Sequence, residues 1–125
     1  MVILITGRSA SGKTHYSNAL RSELSDAGVV VCCIDGDKWR RHTGNVDFTD
    51  EGRQANLVSA AKEASRYEAN GYVVLMSFIA PKKEYRDKMR SLWSRSRVVY
   101  LPGGKLWAGT NYEVPDENEM QVRSN

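Results

Sequence analysis

Three features of this 125-residue sequence predict an α/β fold, a parallel β-sheet covered by helices on both faces. Short apolar runs alternate with stretches of helical periodicity. Glycines close two of those helical stretches, at Gly28 and Gly71. A complete Gly-x-x-x-x-Gly-Lys-Thr run, Gly7 to Thr14, joins the first strand to the first helix and makes the sheet one of P-loop NTPase type.

Taken in order, Val2 to Thr6 is apolar, strand-sized and leads straight into that loop. Lys13 to Ala27 sets Tyr16, Ala19, Leu20, Leu24 and Ala27 on one helical stripe, stopped by Gly28. Val29 to Ile34 reads as the second strand. After a polar connection, Gln54 to Asn70 repeats Leu57, Ala61, Ala64 and Tyr67 at helical spacing and ends at Gly71. Tyr72 to Phe78 is the third strand. Pro81 opens a further helix with Tyr85, Met89, Leu92 and Trp93 on one face, and Val98 to Leu101 is a fourth strand. Strands apolar on both faces in β-α-β order call for helices above and below a parallel sheet. With no repeat, linker or low-complexity stretch, residues 1–125 are expected to form one domain.

Composition narrows the function classes. A net charge of +3 and a pI near 8.9 favour anionic ligands only weakly and lack the dense basic footprint of a nucleic-acid binder, so no nucleic-acid partner is expected. The apolar runs are too short for a membrane span, and Val2 to Ile5 meets the loop where a leader would carry its cleavage site. The expectation is a cytoplasmic protein without a membrane partner. Cys32 and Cys33 are neighbours in an apolar strand, pointing to opposite faces, and are expected to be two buried free thiols of a reducing compartment. His15 and His42 have no partner at metal-ligand spacing and are assigned to surface or packing. Lys82 to Arg97 carries seven basic residues against Glu84 and Asp87. It reads as a solvated helix face, with a phosphate-facing role for some arginines as the alternative. Glu113 to Glu119 is expected on the surface, with a frayed end.

The chemistry begins at the loop. Gly7, Arg8, Ser9, Ala10, Ser11, Gly12, Lys13 and Thr14 form the candidate nucleotide site. The glycines let backbone N–H groups approach phosphate, Lys13 adds a charge at the β/γ-phosphates, and the Thr14 hydroxyl is placed for Mg²⁺. Asp35-Gly36-Asp37 follows the second strand at its carboxyl end, where open parallel sheets place ligands. Asp35 is assigned with Thr14 to Mg²⁺ and Asp37 to the attacking hydroxyl, although the spacing alone does not separate the two roles. Lys13, Asp35 and Asp37 are the candidate catalytic residues, with ATP and Mg²⁺ the implied cofactors.

At this point the chain resembles the adenylylsulfate kinase family, which phosphorylates the ribose 3′-hydroxyl of adenosine 5′-phosphosulfate (APS) with MgATP. The collinear motifs are Gly7 to Thr14; Asp35-Gly36-Asp37 with Arg40; Phe48-Thr49-Asp50 with Arg53 and Asn56; Ser77-Phe78-Ile79-Ala80-Pro81; and Ala108 to Pro115. The resemblance implies APS contacts at Arg40, Arg53 and Asn56, beside the acceptor-side Asp37, an adenine neighbour at Phe48, and a backbone contact at Ile79 and Ala80. Family members often dimerise, so a homodimer is implied as well.

The chain also departs from the family. Ala80 stands where the family has serine, which removes any phosphoserine there. Trp107-Ala108-Gly109 replaces Phe-Thr-Gly, leaving Trp107 to stack on a purine or to pack. A lid helix with its arginine, expected after the fourth strand, gives way to Pro102-Gly103-Gly104-Lys105, and Lys105 is the candidate substitute at the phosphates. Two classes of function remain. One is a compact kinase, with APS favoured over another nucleotide or sugar hydroxyl; the other is a non-catalytic nucleotide-binding domain. Retention of Lys13, Thr14, Asp35 and Asp37 together favours the kinase.

Overall fold

The structure is a computed structural model, described for residues 1–105 and 111–125. Its elements are β1 (Val2–Thr6), α1 (Lys13–Asp26), β2 (Val31–Asp35), α2 (Gly36–Thr43), α3 (Asp50–Ala69), β3 (Val73–Phe78), α4 (Lys83–Arg90), β4 (Arg95–Tyr100) and β5 (Arg123–Ser124). The sheet runs β2-β3-β1-β4-β5, with the first four strands parallel and β5 antiparallel to β4. This is the expected α/β architecture. The crossovers bring the carboxyl ends of β1, β2 and β3 to one edge, with Thr6 beside Phe78 and Asp35 beside Ser77.

Side-chain alternation along the strands divides the sheet into two unequal faces. Val2, Leu4, Ile34, Val74, Met76, Phe78 and Val98 pack on Leu57, Ala60, Ala61 and Ala64 of α3, with Tyr85 and Met89 of α4 and Trp93 closing the cluster. Trp93 is 1% exposed and satisfies its indole by donating from Nε1 to the Ala61 carbonyl at 2.9 Å. On the other face α1 lies across β1, β2 and β3, and Ser17 is its only buried residue. Ala19 and Ala27, expected in its buried stripe, are exposed. Arg95 and Arg97 of β4 are exposed too, so the strands are not apolar on both faces throughout.

Other differences have local causes. The polar stretch after β2 is helical, because Asp35 caps α2: its Oδ1 accepts from the backbone N–H groups of Asp37 at 3.1 Å and Lys38 at 3.2 Å. Thr49 caps α3 by accepting from the Gly52 N–H at 3.1 Å, starting that helix before Gln54. Helix α4 begins at Lys83, past Pro81, and ends at Arg90, which leaves Leu92 exposed. Cys33 is exposed and Cys32 half-buried, so they are free thiols but not both buried. Burial, with Cys33 and Glu63 nearby, raises the Cys32 pKa above the usual thiol value.

The acidic tail is corrected in part: Glu113, Val114, Asp116, Glu117 and Asn118 are exposed as expected, but Pro115 and Glu119 are buried. Glu119 is 3% exposed and pairs with the fully buried Arg86 at 2.6 Å, and Arg90 is fully buried beside them. Those two arginines are neither solvated nor turned toward a phosphate site. The chain end is not loose either: β5 pairs with β4, and the Asn125 side-chain amide donates to the carbonyls of Arg90 and Trp93. Among the described residues, no helix is long and apolar enough to cross a membrane.

Candidate active site

The loop leaving β1 is shaped by Gly7, where a side chain has no room, and by Gly12, whose backbone angle disfavours one. A Cβ on Gly7 would lie 2.6 Å from Ser11 Oγ and 2.7 Å from the Leu101 carbonyl. Gly12 has φ +95° and turns the chain into α1 with no side-chain cap and no acidic residue in the first turn. The first amides of α1 are therefore left for an anion. Lys13 folds back over the loop, its Nζ donating to the carbonyls of Gly7 at 3.1 Å and Arg8 at 2.8 Å. Burial lowers the Lys13 pKa below the ordinary lysine value, against the pull of Asp37 and Asp35.

Asp35 spends one oxygen on the α2 cap, and its Oδ2 accepts from Thr14 Oγ1 at 3.3 Å. The hydroxyl and carboxylate assigned to Mg²⁺ are thus neighbours, as a magnesium site with few protein ligands requires. Asp37 stands exposed in the first turn of α2, facing the same space.

That space is a cavity of about 800 Å³ along the carboxyl edge of the sheet. Of the expected site residues, Ser9, Ala10, Gly12, Lys13, Thr14, Asp35, Asp37, Arg40, Phe48, Arg53, Asn56, Ile79, Ala80 and Lys105 line it. Gly7, Arg8 and Ser11 do not. Arg8 turns away, donating from Nη1 to the Tyr100 hydroxyl at 3.1 Å and lying 5.1 Å from the Tyr112 ring centroid. Ser11 Oγ is buried without a hydrogen-bond partner among the described residues. Trp107 lies outside the described residues. His15, Gly36, Leu57, Ser77, Phe78 and Pro81 also line the cavity and were missed as site residues. For Leu57 and Phe78 the helical and strand periodicity was legible, but it indicates core and cannot tell a cavity wall from it.

On the side away from the loop, Arg40 donates from Nη1 to the carbonyls of Asn45 and Asp47, each at 3.3 Å, and lies 4.8 Å from the Phe48 ring centroid. This holds the exposed Phe48 at the rim. Asn56 is 5% exposed, and its Oδ1 has no hydrogen-bond partner among the described residues. A buried acceptor left unpaired is costly, and this one belongs to a residue that lines the cavity. Across the loop, Lys105 pairs with Ser9, its N–H donating to the Ser9 carbonyl at 2.8 Å.

A family model described as Adenylylsulphate kinase matches residues 1–102. The chain belongs to the adenylylsulphate kinase family. It is 37% identical over 93 residues to the adenylyl-sulfate kinase of Bacillus velezensis, covering 73% of this chain and 47% of that protein. It is 31% identical over 150 residues to the adenylyl-sulfate kinase of Clostridium kluyveri, covering 100% of this chain and 75% of that protein. That match is longer than this chain, so the Clostridium protein carries internal segments absent here. This chain spans about half the length of most of the curated relatives it matches, the Bacillus protein among them. The Mycobacterium tuberculosis APS kinase CysC, solved in complex with AMPPNP and APS, shares the fold at TM-score 0.76 and 24% identity, over 81% of this chain and 61% of that one.

Proposed function

We propose that this chain transfers the γ-phosphoryl group of ATP to the 3′-hydroxyl of adenosine 5′-phosphosulfate, giving 3′-phosphoadenosine 5′-phosphosulfate and ADP. The observation that carries this is the single cavity shared by the phosphate loop, Asp35 and Asp37, and the group Arg40, Phe48, Arg53 and Asn56. Family membership supports the chemistry, and the mycobacterial relative holds an ATP analogue and APS together.

In this reading the amides at the start of α1 and the Lys13 ammonium receive the ATP phosphates. Thr14 and Asp35 are the residues that would hold Mg²⁺, which when bound neutralises charge on the phosphate oxygens. Asp37, with its side chain free of the capping role that occupies Asp35, orients the acceptor hydroxyl and accepts its proton as the new P–O bond forms and ADP leaves. Arg40 and Arg53 supply charge for the phosphate and sulfate of APS, and Asn56 Oδ1 accepts from a donor on the nucleoside. Lys105 faces the same cavity from the loop after β4.

Calorimetry with ADP present tests the acceptor. Arg53→Ala should weaken APS binding by about 1.5–3 kcal/mol, the worth of a charge-assisted contact, and leave ADP affinity nearly unchanged. Absence of APS binding to the unaltered chain, alongside ADP release with another nucleotide or a sugar, would remove APS and keep the kinase.

A further inference from the structure

Arg86 lies behind the cavity on α4, yet one of its hydrogen bonds ends on the cavity wall. Its side chain is wholly buried. Nε and Nη2 grip the two oxygens of Glu119 at 2.6 and 3.1 Å, and Nη2 also donates to the Glu113 carbonyl at 2.7 Å. A fork seated on a carboxylate fixes the guanidinium plane. The remaining arm, Nη1, donates to the carbonyl of Ala80 at 2.7 Å.

Ala80 needs such a hold. It is a non-glycine residue with φ +42°, immediately before Pro81, so its backbone sits where a side chain and a following proline both disfavour it. Residues in such conformations persist when their surroundings over-determine them. Thr6 supplies a second restraint: its Oγ1 donates to the Ile79 carbonyl at 2.5 Å and pairs with the Tyr112 hydroxyl at 2.7 Å. Ile79 and Ala80 both line the cavity, and Ala80 is 1% exposed.

We propose that Arg86, oriented by Glu119, is a positioning residue that holds Ala80 in its left-handed backbone and so sets the main-chain wall of the acceptor pocket. The tail bearing Glu119 thereby acts on the acceptor pocket without touching an acceptor. The link to the acceptor rests on the function proposed above; the hold on Ala80 does not.

Arg86→Lys keeps a cation beside Glu119 but loses the fork. With ADP present, it should raise the APS dissociation constant about tenfold while ADP affinity stays within about twofold. Glycine adopts positive φ without help, so in an Ala80→Gly background the same change should cost less than about threefold. In the ligand-free protein, the Ala80 Cα and Cβ chemical shifts, which follow its backbone angles, should move toward extended values in Arg86→Lys. Equal losses of ADP and APS affinity, or the same loss in both backgrounds, would make Arg86 merely structural. Unchanged Ala80 shifts in the folded variant would overturn the hold itself. If Arg86→Lys does not fold, Glu119→Gln carries the same readouts. A wild-type chain that binds ADP but no APS overturns the acceptor link, and the Ala80 shifts still decide the hold.

Discussion

Arg40 and Arg53 stand half-buried on the cavity wall, while Arg86 and Arg90 lie behind it with no exposure at all. The second pair is saturated. Arg90 donates to Ser96 Oγ at 2.8 Å, the Ser96 carbonyl at 3.1 Å, the Gln121 carbonyl at 2.8 Å and the Glu119 carbonyl. Burial lowers the Arg90 pKa, with Arg123 adding to the effect and Glu119 and Asp87 opposing it. In the sequence, Arg40 and Arg53 stand in motifs shared with the family, whereas Arg86 and Arg90 look like part of a solvated basic helix. Their environments differ: one pair lines the cavity proposed to take the acceptor, and the other ties residues 111–125 to α4 and β4.

That contrast is broken most sharply at Arg90. Arg90→Ala should cost about 3 kcal/mol or more of stability, since each buried acceptor left unpaired costs about 1–3 kcal/mol, and that is a large part of what a domain possesses. Urea unfolding reads it directly. A loss below about 1 kcal/mol would mean the buried pair is dispensable and the two groups are not so different.

Lys13→Ala should do the reverse, costing about 2–4 kcal/mol in nucleotide binding or transition-state stabilisation while the unfolding midpoint barely moves. The pH dependence sharpens this. Burial depresses the Lys13 pKa, and a bound phosphate favours the charged form. Nucleotide affinity should therefore hold at neutral pH and fall as pH rises through that lowered value, earlier than for an ordinary lysine. Lys13→Arg should abolish the alkaline fall, which a titration series of ADP binding would show.

The smallest effect belongs to the arginines outside both groups. Arg97 is exposed on β4, and Arg97→Gln should change stability by less than about 0.5 kcal/mol and leave nucleotide binding alone. A larger change in either measurement would show that the exposed residues of β4 have a task that the cavity and the tail do not explain.

What the sequence disclosed follows the range of the interactions. The loop, the glycine stops and the strand periodicity are local, so β1, α1, β3 and the loop between β1 and α1 could be read from neighbouring residues. Helix α2 was missed because its first turn is capped by Asp35, a residue with evident chemistry whose capping role leaves no apolar stripe. The burial of Glu119 was missed because its partner lies 33 positions away, and an acidic tail has no local mark that sets it apart from a solvated one. The same holds for Ala80, whose positive φ is imposed by Arg86 and Thr6 from elsewhere in the fold.

The most direct measurement is ADP release from MgATP with and without APS, with the nucleotide product identified by mass spectrometry. The account predicts APS-dependent ADP release and a product one phosphoryl group heavier than APS. Asp37→Asn should lower the rate by a factor on the order of 10²–10⁴ while ATP affinity holds. ADP formation that ignores APS, or no phosphorylated APS despite demonstrated binding of both ligands, would contradict it.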